Sequence, residues 1–341
     1  MINRYFQYKN RSINRNSIKK YRDKLSPYIK AVSRKLDSHK YDSKESFILA
    51  PREGYGELKR FIKKKTKPDL DSIILVGIGG SNLGAMAVYE ALSAKRKLIF
   101  VDGLYPSKLE EVKKYIKEAY LKNKHCLLLL VSKSGKTTES IVNFNVLLNI
   151  FKRIDIRWKE RVVIVSDEGS KLIEYADRND FDYLTIPPVI EGRYSVFTAV
   201  GLLPLGLAGV DIDKLLRGAR YGFEFALRDE FVNPAVIESA SIMLSKKNII
   251  NMFLFDSRLS AFGLWWRQLI GESLGKNGKG FTPIVSMGSV DLHSVAQLYF
   301  DGPKDKYTNF ISIKRGDLDF KISNNKMLDG LVPGLSGKSI S

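Results

Sequence analysis

The sequence predicts an α/β protein of two doubly wound, mostly parallel sheets, the second incomplete, preceded by a helical segment. Three observations carry this. Short β-branched runs alternate with longer helical stretches from Ile73 onward. Two of the strands run directly into glycine- or hydroxyl-rich turns that open helices. The alternation restarts after Asp211 with a second, shorter set of strands.

Residues 1–70 read as basic helix, and Lys63, Lys64 and Lys65 followed by Lys67-Pro68 mark a boundary before the first strand. Five strands of one sheet are expected at Ile73–Val76, Leu98–Val101, Leu127–Val131, Val162–Val165 and Tyr183–Ile186, which gives a first domain over 71–210. Asp211 offers an N-cap for the next helix. A second domain over 211–341 then has strands at Ile249–Phe255 and Thr282–Val285 and a third at Asn309–Ile313.

Composition narrows the function classes. Of the 341 residues, 44% are apolar and 27% charged, which fits a folded enzyme and not a disordered chain. Cys126 is the only cysteine, so neither a disulfide nor a cysteine metal site can be built from it. The N-terminal run MINRYFQYKNRSINRN has no apolar core of a secretory signal. The longest apolar stretch, 196–210, is shorter than the roughly 20 residues that span a bilayer, so a cytoplasmic setting is expected. The net charge of +19 is dispersed rather than striped with aromatics, which argues for a solvated surface and against nucleic acid.

The first loop runs Gly77-Ile78-Gly79-Gly80-Ser81-Asn82-Leu83-Gly84 between a strand and a helix. Unpaired N–H groups and the helix dipole meet there and favour an anion. A plain βα turn explains it equally well. A dinucleotide fingerprint competes too, with Asp102 as ribose ligand, although Asn82 stands where that fingerprint has its third glycine. The second loop, Ser132-Lys133-Ser134-Gly135-Lys136-Thr137, brings hydroxyls, amides and cations to another helix start, with Glu139 in the first turn. Alone it is an ordinary helix cap. Two such loops after strands of one sheet suit a phosphate monoester.

VGIGGSNLGA at 76–85 and VSKSGKTTES at 131–140 resemble the paired signatures of the sugar isomerase (SIS) domain. EGRYSVFTAVGLLPLGLAGVDI at 191–212, WWRQLIGESLGKNGKG at 265–280 and DLHSVAQLYFDGP at 291–303 are similar, in the same order, to segments of phosphoglucose isomerases. The resemblance implies interconversion of glucose 6-phosphate and fructose 6-phosphate, without cofactor, by proton transfer through a cis-enediolate. It implies Glu272 as the base, Gln268 as a substrate ligand, Arg193 facing the enediolate charge and His293 assisting ring opening from a neighbouring subunit of a homodimer. Gly80, Ser81, Ser132, Lys133, Ser134, Gly135, Lys136 and Thr137 would hold the substrate's phosphate.

Gln268 and Glu272, four residues apart, are expected on one helix face with Trp265 and Leu269 nearby, and apolar neighbours are expected to raise the Glu272 pKa. Each residue also has a bland reading: a solvated glutamate, a surface arginine, an exposed histidine. Two departures from the family stand out. Lys136 occupies a place where relatives carry a small hydroxyl residue, and the family's C-terminal lysine has no counterpart, Lys338 lying in a polar tail. A chain without that element is expected to open cyclic substrate poorly and to expose apolar surface on its second sheet. The alternatives are a bifunctional phosphoglucose/phosphomannose isomerase and a non-catalytic SIS-type sugar-phosphate regulator.

Overall fold

A computed structural model describes residues 15–92, 94–227, 234–313, 320–324 and 326–339. Helix α1 (Arg15–Ser38) leads into a 3-10 segment at Lys44–Arg52 and then α2 (Gly56–Lys65). The first sheet follows as β1 (Leu70–Val76), α3 (Leu83–Ala91), β2 (Lys97–Val101), α4 (Pro106–Leu121), β3 (His125–Val131), α5 (Thr138–Ile154), β4 (Val162–Asp167), α6 (Lys171–Arg178) and β5 (Asp182–Ile186). All its pairings are parallel, in the order β2-β1-β3-β4-β5.

Every residue of β3 is buried, as expected of a central strand covered on both faces. Ile73, Leu75, Leu127 and Leu129 face one way, toward a cluster completed by α7 (Ala199–Ala208) and the start of α8 (Ile212–Ala226). Ile74, Val76, Leu128 and Leu130 face the other, packing with Val112 and Ile116 of α4, Phe144 and Leu147 of α5 and Leu172 of α6. The alternation of side chains along each strand divides the run of leucines between two cores.

Asp211 caps α8 by accepting from the Lys214 N–H at 2.9 Å. After α9 (Pro234–Ser245), a second parallel sheet of order β7-β6-β8 forms from β6 (Ile249–Leu254), α10 (Ser260–Leu274), β7 (Thr282–Met287), α11 (Ala296–Asp301) and β8 (Lys306–Ile311), with α12 (Lys326–Leu331) beyond it. An aromatic cluster of Phe253, Phe255 and Phe310 lies on this sheet, and Phe310 remains 64% exposed. No described helix is long and apolar enough to cross a membrane.

At the entrance to β3, His125 is buried and its Nδ1 lies 2.9 Å from Asp69 Oδ2. Burial, helped by the Arg161 charge, pushes its pKa below the ordinary 6.5, while Asp69 opposes the shift. A folded-state pKa lowered in this way means that unfolding takes up a proton on acidification. The stabilisation is therefore fully present above 6.5 and is lost as the pH falls through that value toward the folded one. The melting temperature is expected to fall more steeply between about pH 7 and 5 than that of His125→Gln. Equal slopes in differential scanning fluorimetry would assign the acid sensitivity to other groups.

Candidate active site

The order β2-β1-β3 puts the chain reversal of the sheet between β1 and β3, so the loops leaving their C-terminal ends lie side by side. In the first loop Asn82 is buried and donates through Nδ2 to Asp102 Oδ2 at 3.3 Å. The carboxylate that a dinucleotide reading would give to a ribose instead ties the β1 loop to the end of β2. A Cβ placed on Gly80 would lie 2.3 Å from Gly192 C and 2.5 Å from Arg193 N. The first loop therefore presses directly on the backbone that carries Arg193, an approach only glycine permits.

In the second loop Gly135 has φ +65° and packs on Leu172, letting the chain turn into α5. Thr137 occupies the N-cap of α5 but makes no side-chain cap, and its hydroxyl lies 3.5 Å from the buried Ser132 Oγ. Ser134 Oγ accepts from the Lys136 N–H at 3.3 Å, and both residues are exposed. The cation of Lys133 is engaged elsewhere, with Asp167 Oδ2 at 3.1 Å and Pro188 O at 2.6 Å. It bridges β4 to the turn after β5. Gly80 and Ser81 lie in the first loop, half-buried.

A short 3-10 helix, Gly192–Phe197, forms the next wall. Ser195 Oγ donates to Gly192 O at 2.7 Å and reaches Gly80 O at 3.3 Å, closing the contact with the first loop. Helix α10 forms the last wall. Gln268 and Glu272 sit one turn apart, with Gln268 Nε2 donating to Glu272 Oε1 at 2.9 Å. Arg193 Nη1 donates to Glu272 Oε2 at 3.3 Å. Arg193 also pairs through Nη2 with Glu191 and donates through Nε to Ser273 Oγ at 3.0 Å.

The Arg193 side chain is 11% exposed, and that of Glu272 is 51% exposed. Burial works against the guanidinium charge, but Tyr194, Glu191 and Glu272 outweigh it and hold the pKa above its ordinary value. Arg193 is thus a permanent cation aimed along one nitrogen at a carboxylate. Glu272 stands half exposed. Its two oxygens take hydrogen bonds from Gln268 and Arg193, and Trp265 Nε1 donates to Arg193 O at 3.0 Å.

Sequence reasoning placed Gln268 and Glu272 on one helix face and named Arg193 apart from them, and the fold brings the three into one cluster beside Gly80. It gave no role to Glu191, Tyr194 and Ser273 and took Trp265 only as an apolar neighbour, yet all four lie inside the same motifs and contact Arg193 directly. Their adjacency to named residues was the available signal. His293 sits exposed in the loop after β7, and no described hydrogen bond or ion pair joins its side chain to this cluster. Among the described residues, no group of three or more His, Cys, Asp and Glu side chains could hold a metal ion.

Residues 57–304 match the phosphoglucose isomerase family model. The chain belongs to the phosphoglucose isomerase family. It is 37% identical over 265 residues to the glucose-6-phosphate isomerase of Methanocaldococcus jannaschii, covering 76% of this chain and 64% of that enzyme. It thus spans less than two thirds of that relative's length. The crystal structure of a hypothetical protein from Thermus thermophilus superposes with a TM-score of 0.82 at 27% identity, over 95% of this chain and 80% of that one. The structure of a glucose-6-phosphate isomerase from Chlamydia trachomatis shares the fold, with a TM-score of 0.70 at 23% identity over 81% of this chain and 57% of that one. The architecture is therefore that of the SIS-type α/β proteins, with a helical N-terminal segment.

Proposed function

We propose that this phosphoglucose isomerase family member interconverts glucose 6-phosphate and fructose 6-phosphate by proton transfer through a cis-enediolate. The observation that carries this reading is the 3.3 Å contact between Arg193 and Glu272 beside two phosphate-suited loops. A base alone supports many reactions; a base with a fixed cation within hydrogen-bond reach supports one that creates an oxyanion next to the abstracted proton.

In the open-chain substrate, Glu272 takes the proton from the carbon next to the carbonyl. The C–H electron pair becomes the carbon–carbon double bond, and the carbonyl oxygen takes up negative charge facing Arg193. Glu272 returns the proton to the neighbouring carbon, and the proton on the second oxygen passes to the first, so that the first oxygen ends as a hydroxyl while the second becomes the new carbonyl. Gln268 is read as a ligand for the sugar. Gly80, Ser81, Ser132, Lys133, Ser134, Gly135 and Thr137 supply backbone amides and hydroxyls for the phosphate, with the exposed Lys136 adding positive charge, since the Lys133 cation is paired with Asp167. The reading includes a homodimer in which His293 serves the neighbouring active site, a cytoplasmic setting, and a division of the chain near residues 70 and 210.

The test is incubation with each hexose phosphate in D2O, followed by NMR. Interconversion is expected, with deuterium entering C1 of the ketose and C2 of the aldose. Fructose 6-phosphate is expected to bind far more tightly than fructose in calorimetry, because the loops recognise phosphate. Binding with neither interconversion nor exchange would make the chain a sugar-phosphate-binding module.

A further inference from the structure

We propose that Ser273, together with Tyr194, is the positioning residue for Arg193, turning one guanidinium nitrogen toward Glu272 and the enediolate. The inference rests on the reading of Arg193 given above and adds how its orientation is held. A guanidinium is planar, so fixing two of its nitrogens fixes the direction of the third. Nε donates to Ser273 Oγ at 3.0 Å, and Nη2 pairs with Glu191. The remaining nitrogen, Nη1, is the one that meets Glu272 at 3.3 Å.

Tyr194 holds the arrangement in two ways. Its ring lies 4.7 Å from the guanidinium carbon, in cation–π contact. Its hydroxyl is 2.6 Å from Ser273 Oγ, which locks the serine hydroxyl that receives Nε. The ring is itself stacked on Phe47 at 4.6 Å and 14°, so the segment before α2 braces the site from behind. Ser273 follows Glu272 directly in α10. Any shift of that helix therefore carries the base and the group that aims the guanidinium together, and their mutual geometry is preserved.

The experiment compares Ser273→Ala, Tyr194→Phe and Arg193→Ala with the unchanged chain. Two ligands are titrated: fructose 6-phosphate, and an aldonic acid phosphate one carbon shorter, whose carboxylate carries charge where the enediolate would. Ser273→Ala is expected to lower kcat by about 10- to 100-fold, with KM within about threefold of the original. Affinity for the aldonate should fall by a similar factor while that for fructose 6-phosphate holds, which also shows that the variant is folded. Tyr194→Phe should act in the same direction but less, and Ser273→Thr, which keeps the hydroxyl, should recover most of kcat.

Unchanged aldonate affinity in Ser273→Ala, or an equal loss for both ligands, overturns the inference. If Arg193→Ala loses the aldonate preference and Ser273→Ala does not, the inference alone fails. If Arg193→Ala keeps that preference, the assigned role of Arg193 fails and the inference with it.

Discussion

Glu272→Gln is expected to slow isomerisation by about 10³-fold or more while fructose 6-phosphate still binds. The substitution removes the only basic function assigned to the reacting end and leaves both phosphate-suited loops untouched. It is also sterically mild. The new amide keeps an oxygen to accept from Arg193 Nη1, which now donates to Glu272 Oε2 at 3.3 Å. Its NH2 would face Gln268 Nε2, a donor, but Gln268 Oε1 is buried without a hydrogen-bond partner. A flip of the Gln268 amide turns that acceptor toward the new donor and puts Nε2 in the unpaired buried position instead, so the number of unpaired buried groups does not rise. Turnover is followed by NMR and binding by calorimetry. Near-normal turnover would remove Glu272 from the role of base, and loss of binding together with turnover would make it a structural residue.

Gly80→Ala is expected to cost about 1–3 kcal/mol of stability and to lower turnover by about 100-fold. The added methyl would meet backbone atoms at 2.3–2.7 Å, namely the Gly192 C and O atoms and Arg193 N, which cannot rotate away as a side chain could. Relief requires the 192–197 turn to retreat from the first loop, taking Arg193 with it and breaking the Ser195 contact to Gly80 O. Displacement by about 1 Å is enough for the loss of rate expected of a misplaced catalytic group. Gly218, inside α8, is the control: nothing lies within 4 Å of a Cβ there, so Gly218→Ala should stabilise by about 0.5–1 kcal/mol. Thermal unfolding and turnover of both variants check the pair. A Gly80→Ala protein as stable and active as the original would show that the contact is not tight in solution.

Much of the fold was legible because its signals are local. The run Leu127–Val131 was expected as a strand and is the core of β3, which begins two residues earlier. The polar look of His125 hid that start, since its burial beside Asp69 depends on chain far from β3's centre. The third strand of the second sheet was expected at Asn309–Ile313 but runs Lys306–Ile311, because its register is set by pairing with β6 and not by its own apolar pattern. The helical reading of the N-terminal segment holds for α1 and α2, with a 3-10 stretch between them. What it did not reveal is that Phe47 of this stretch stacks on Tyr194.

The candidate site divides along the same line. Gln268 and Glu272 share a helix face because a four-residue interval closes one turn, and the sequence by itself determined that pairing. It also determined the two strand–loop–helix turns, since a glycine or hydroxyl run at a helix start exposes N–H groups whatever the rest of the chain does. Only the tertiary structure decided that Arg193 meets a carboxylate 79 positions away, that Lys133 is tied to Asp167, and that Glu272 stands half exposed among polar partners. Those outcomes depend on how closely separate walls approach, at Gly80 against Gly192 above all. Close approach is a property of packing between distant segments, which no local periodicity encodes.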